Sequence, residues 1–185
     1  MSERLTIRTE RLELVAGDLR ILEMAVENRR QLAAELNAAV PRSWPPPVML
    51  DTLDMHMVLL QNDPSLAHGW LSWIVIVRDA DGGRTVAGIV CFAGRPDSTG
   101  TVRLGFALIP EFEGLGYVTE AAQALVNWVF RQPGVKRVMA QAFAQHIAYI
   151  RVLERLGMTP GEAGTHPGTT TYYLEKDAVR HTPVA

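Results

Sequence analysis

Between Arg11 and Val15 charged and apolar residues alternate before a final valine (Arg-Leu-Glu-Leu-Val), the period-two signature of a half-buried strand, and the pattern predicts the first strand here. Asp18 stands just ahead of a run in which Leu19, Leu22, Ala25 and Val26 recur at helical spacing, so a capped helix is expected, with a second helical stretch over 32–36. Four prolines among residues 41–47 stop both, fixing an extended loop with Trp44 held in it. Helical spacing returns over 50–61 through Leu53, Met57 and Leu60, and Pro64 ends it.

The pattern then changes. Residues 71–77, 85–93 and 101–109 are apolar, β-branched segments separated by two Gly- and Asp-containing runs, which predicts an antiparallel meander. Downstream, Ala122, Leu125, Val126 and Val129 mark one face of a helix; residues 135–142 read as a strand, 147–156 as a helix closed by Gly157, and 169–174 as a last strand. The order implies one βαβ unit and an α+β fold built on a central, mostly antiparallel, twisted sheet of six to seven strands flanked by helices.

Composition narrows the function classes. With 185 residues, 48% of them hydrophobic, and no repeat or low-complexity linker, the chain is expected to form one domain, its core at about 8–177 and its termini frayed. Basic and acidic residues number 18 and 20, and the sixteen arginines and two lysines form no dense cluster, so no nucleic-acid partner is expected. The charged N-terminal stretch lacks the apolar centre of a signal peptide, and no apolar run approaches the roughly 18 residues of a membrane span. Cys91 is the single cysteine and the five histidines show no ligand spacing, so neither disulfide nor metal is expected. The sum is a cytoplasmic protein with no membrane partner, monomeric or homodimeric.

The segment from Ile109 to Glu120 carries the chemistry. Gly114 and Gly116 join a strand to a helix start, where glycine lets the backbone turn tightly and approach a ligand while free helix amides attract an anion such as a pyrophosphate. The loop lacks the Gly-Lys-Ser/Thr ending of a P-loop, and Thr119 stands where a dinucleotide fingerprint needs glycine or alanine.

Four stretches in order, Thr9–Leu14, Leu104–Pro110, Gly114–Ala121 and Ile150–Met158, make the sequence resemble the GNAT acyltransferase superfamily, and within it the ribosomal-protein N-terminal acetyltransferase-like (RimJ/RimL-type) branch. The resemblance implies a GNAT fold that takes acetyl-CoA as co-substrate and acetylates a primary amine on a small molecule or peptide. It implies a pantetheine arm lying along Phe106, Ala107, Leu108 and Ile109 like an added strand, and a pyrophosphate held by the loop of Glu113, Gly114, Leu115, Gly116, Tyr117, Val118 and Thr119. Strand parity agrees, with Val102, Leu104, Phe106 and Leu108 on one face and the small Gly105 and Ala107 on the other.

Several positions depart from the family's usual residues. Glu113 replaces Gln or Arg, Val118 replaces Ala or Gly, His146 replaces a pantetheine-binding Asn, Tyr149 replaces Ser, and Arg103 stands where a general-base Glu is common. Tyr149 is then the candidate acid for the thiolate, and Glu111 or His146 the candidate to hold a water that deprotonates the amine. The amide of Leu108 or Ile109 is the candidate donor to the developing oxyanion. Trp44 and Arg103 are the candidate acceptor-binding residues, Trp44 because the proline loop presents it and Arg103 because its donor fork suits a carboxylate. Cys91 and Trp73 read as packing residues. The alternative reading is a CoA-binding sensor or partner-binding module that transfers nothing.

Overall fold

The computed structural model describes residues 4–179; the expectation of frayed ends at 1–3 and 180–185 lies outside the described residues. One eight-stranded sheet runs in the order β1-β2-β3-β4-β5-β6-β8-β7. Its strands are β1 (Thr6–Arg8), β2 (Leu12–Ala16), β3 (Ser72–Arg78), β4 (Arg84–Phe92), β5 (Thr101–Leu108), β6 (Arg137–Phe143), β7 (Thr159–Ala163) and β8 (Thr169–Glu175). Every pairing is antiparallel except β5 with β6, which the helix α4 (Tyr117–Val129) connects as the expected βαβ unit.

The other helices are α1 (Leu19–Glu27), α2 (Arg29–Leu36), α3 (Leu50–Asn62), α5 (Ile147–Arg155) and the short α6 (Lys176–Val179). Asp18 caps α1, its carboxylate accepting from the Ile21 amide at 2.8 Å. Asn28 ends α1 and caps α2 through the Gln31 amide. Gly157, at φ +80°, follows α5 as its spacing predicted.

Helices cover both faces of the sheet. His56 of α3 bonds Ser72 of β3 on one face, whereas Trp128 of α4 packs edge-on against the neighbouring Trp73, ring centroids 5.4 Å apart, and stacks near Phe92 on the other. Cys91 and Trp73 are buried, as the sequence predicted. No helix of the described residues is long and apolar enough to cross a membrane.

Two strands were not anticipated, so the sheet has eight strands where six or seven were expected, and Leu12–Ala16 is the second strand. Thr6–Arg8 is three residues long and mostly exposed, and Thr159–Ala163 (Thr-Pro-Gly-Glu-Ala) is exposed throughout. Both lie at sheet edges, where no buried face imposes alternation and a proline is tolerated.

Candidate active site

β5 is paired on both sides for only part of its length. It meets β6 at Thr101, Val102 and Arg103, yet β5 runs on to Leu108 and β6 to Phe143, so the two strands part beyond Arg103 and Met139. On its other edge β5 stays bonded to β4: the Ile109 amide donates to the Ala87 carbonyl at 2.9 Å, and the Ala93 amide to the Arg103 carbonyl at 3.1 Å. Backbone groups of a paired strand alternate in direction, so Arg103, Gly105, Ala107 and Ile109 turn toward β4. Phe106 and Leu108 turn N–H and C=O into the opening, whereas the Leu104 N–H is taken up by the last rung of the pairing with β6 at Met139. Ile109 is therefore excluded as an oxyanion donor, because its N–H is already spent on Ala87.

The opening leads to the loop. Gly114 and Gly116 sit at φ +73° and +81°, conformations that side chains rarely adopt, and Gly116 is the residue before α4. Among the described residues no side chain caps α4, which leaves its first amides without a partner there. Thr119 adds a buried hydroxyl with no hydrogen-bond partner among the described residues. A row of free donors thus runs from the open edge of β5 to a helix N-terminus, an arrangement that suits a long ligand with an anionic part.

Comparison with known proteins identifies what this arrangement belongs to. Residues 19–159 match the family described as Acetyltransferase (GNAT) domain. The chain belongs to the GNAT acetyltransferase family. Over 152 residues it is 29% identical to the uncharacterized N-acetyltransferase YjdG of Bacillus subtilis, covering 82% of this chain and 88% of that protein. A GNAT-family acetyltransferase from Bacillus anthracis superposes with a TM-score of 0.62 at 19% identity, covering 94% of this chain and 99% of the other. RimL, described as a ribosomal L7/L12 alpha-N-protein acetyltransferase in complex with coenzyme A, superposes at 0.62 and 18% identity over the same shares. The two superpositions establish the likeness of fold.

The acetyltransferase brings some of the expected residues together and separates others. The Tyr149 ring, on the first turn of α5, stacks on Phe106 with centroids 4.2 Å apart and planes 14° from parallel, which sets the hydroxyl-bearing residue beside the open edge. Burial, with Cys91 as a lesser electrostatic contributor, pushes its phenol well above the ordinary value, so the hydroxyl stays protonated. His146 precedes α5, is exposed and packs edge-on to Phe143, centroids 5.4 Å apart. Arg103 is exposed, and no hydrogen bond or ion pair holds its side chain among the described residues.

Glu111 lies in the turn after β5 and accepts from the Ser43 hydroxyl at 2.6 Å. That bond holds its carboxyl below the usual range, which makes Glu111 a weaker base at neutral pH and gives it a second task, tying the proline loop to the cleft. Trp44 is corrected more strongly. The loop does not present it: the ring is 6% exposed, and its N–H donates to the Ala25 carbonyl at 2.9 Å, so it anchors the loop to α1. It can influence an acceptor only through the loop's shape. An open groove of about 680 Å³ along α1 and α2, lined by Glu23, Glu27 and Gln31, contains none of the cleft residues.

Sequence reasoning missed Ser43, Arg11 and Glu120. Ser43 sits inside a proline run that conveys only stiffness. Arg11 and Glu120 face each other across 109 positions, a distance no local pattern spans.

Proposed function

We propose that this acetyltransferase moves the acetyl group of acetyl-CoA to a primary amine of a small molecule or peptide, by direct attack in a ternary complex in the cytoplasm. The observation that carries the reading is the line of unused donors from the edge of β5 to the start of α4. The left-handed glycines, the uncapped helix and the orphaned Thr119 hydroxyl fit a diphosphate. The open amides and carbonyls of Phe106 and Leu108 fit a pantetheine arm, whose amides pair as a strand does. RimL, which shares the fold, is described with coenzyme A bound.

Phe106 and Leu108 offer the amides that receive negative charge developing on the thioester oxygen, and Phe106 is the one stacked by Tyr149. Tyr149 donates its hydroxyl hydrogen to the departing sulfur. Because its proton is held more tightly than in free tyrosine, it stabilises the thiolate as a hydrogen-bond donor; the neutral amine attacks, and the proton that neutralises the departing sulfur comes from the ammonium centre that this attack creates in the tetrahedral adduct. His146 holds the water that takes up the amine's first proton. Arg103, exposed and unpaired at the foot of the opening, recognises a carboxylate or phosphate near the acceptor amine.

Thermal unfolding with and without acetyl-CoA tests the donor assignment. Ligand at 100 times its dissociation constant should stabilise the wild type by about 2.7 kcal/mol. Gly116→Asp should abolish that gain, since φ is +81° there and the new carboxylate would oppose the diphosphate. A wild type indifferent to millimolar acetyl-CoA would refute the assignment.

A further inference from the structure

Thr9 and Arg11, at the turn into β2, reach the first turn of α4. The Glu120 carboxylate accepts from the Thr9 hydroxyl at 2.6 Å, from the Arg11 amide at 3.0 Å and from Arg11 Nε at 2.7 Å. Its guanidinium then donates to the Leu115 carbonyl at 3.1 Å and lies over the Tyr117 ring, 4.5 Å from the centroid. Arg78 props the turn from behind, donating to the carbonyls of Thr9 at 2.6 Å and Glu10 at 3.1 Å.

These contacts fix a peptide plane. In a trans peptide the carbonyl and the following N–H point in opposite directions, so a Leu115 carbonyl held toward Arg11 aims the Gly116 N–H the other way. A second, independent observation comes from Thr119. A helical threonine ordinarily donates to the carbonyl three or four residues back. Here those are Gly116, which accepts from the Glu120 amide at 3.1 Å, and Leu115, which accepts from Arg11. The Thr119 hydroxyl is left buried and unpartnered. Such a group costs stability until an acceptor arrives, and a phosphate oxygen is one.

We propose that Arg11, held by Glu120, is the positioning residue of the phosphate loop: it turns the Leu115 carbonyl aside so that the Gly116 amide and the Thr119 hydroxyl are left to a diphosphate. It also neutralises a carboxylate that would otherwise face that anion from the first turn of the helix. The inference rests on the acetyl-CoA reading above.

The test is calorimetric affinity for two probes, CoA and pantetheine, the second lacking the diphosphate. Arg11→Ala should weaken CoA about tenfold, the scale of one charged hydrogen bond, and leave pantetheine within about twofold. Arg11→Lys should not restore it, because an ammonium cannot hold Glu120 and Leu115 with one fork. Glu120→Gln and Thr119→Val should weaken CoA selectively too, and these decide the matter if Arg11→Ala does not fold. Equal losses on both probes, or an unchanged CoA affinity, would overturn the positioning role while leaving the acetyl-CoA reading standing. A wild type that binds CoA no better than pantetheine would remove both.

Discussion

Tyr149 is a partly buried and His56 a fully buried titratable side chain, and they differ in what burial does for them. Tyr149 keeps its hydrogen and stands beside the open edge of β5, so Tyr149→Phe should lower the maximal rate by about 10²–10³, the range for losing one donor to developing charge, with CoA affinity nearly unchanged. A full-rate Phe variant would remove it from the mechanism. His56 is fully buried against Ser72, its Nε2 has no partner among the described residues, and burial pushes its pKa down from 6.5 to about 4. Above pH 6.5 it is neutral in both folded and unfolded chains. As pH falls from 6.5 to 4 only the unfolded chain takes up the proton, so stability drops by at most about 3 kcal/mol. Urea unfolding between pH 7 and 5 should show this slope, and His56→Met should flatten it; an equal slope in the variant would place the titration elsewhere. Nothing in the sequence separated His56 from the other histidines: the face read from helical spacing ran through Leu53, Met57 and Leu60, whereas Leu53, His56 and Leu60 are the buried residues of α3. Trp44 was visible as a tryptophan in a rigid loop, but whether the ring pointed in or out depended on Ala25, nineteen residues away.

At the scale of elements, the cleft exists because β5 keeps β4 on one side and loses β6 on the other. The wall toward β4 is tight: a Cβ on Gly88 would stand 2.4 Å from the Ala107 carbonyl and 2.8 Å from the Leu108 Cα. Gly88→Ala should therefore push β5 from β4 at the residues proposed to line the donor site. The expected cost is about 1–3 kcal/mol of stability together with weaker acetyl-CoA binding, measured by denaturation and by calorimetry. Wild-type values for both would mean that the strands yield without disturbing the cleft. The small residues on one face of β5 were legible from alternation, and so was the glycine loop. The parting of β5 and β6 was not, because both strands have ordinary strand sequences and the gap arises only from how far their pairing extends. The edge strands β1 and β7 were equally silent, lacking a buried face to imprint a pattern.

Across the whole molecule, periodicity conveyed the order of the buried elements correctly, since each of them must bury one face and therefore carries a period. What tied distant parts together stayed hidden: Arg11 to Glu120, Ser43 to Glu111 and Trp44 to Ala25 are single contacts with no periodic trace. The central claim concerns chemistry. Its most direct measurement is free thiol released from acetyl-CoA over a panel of primary amines, with and without a neighbouring carboxylate or phosphate, checked by the mass of the acetylated product. Amine-dependent thiol release matched one for one by acetylated amine is expected, strongest for acceptors bearing an anionic group and weak for polyamines. Tight CoA binding with no thiol released by any amine would contradict the account and leave a CoA-binding module in its place.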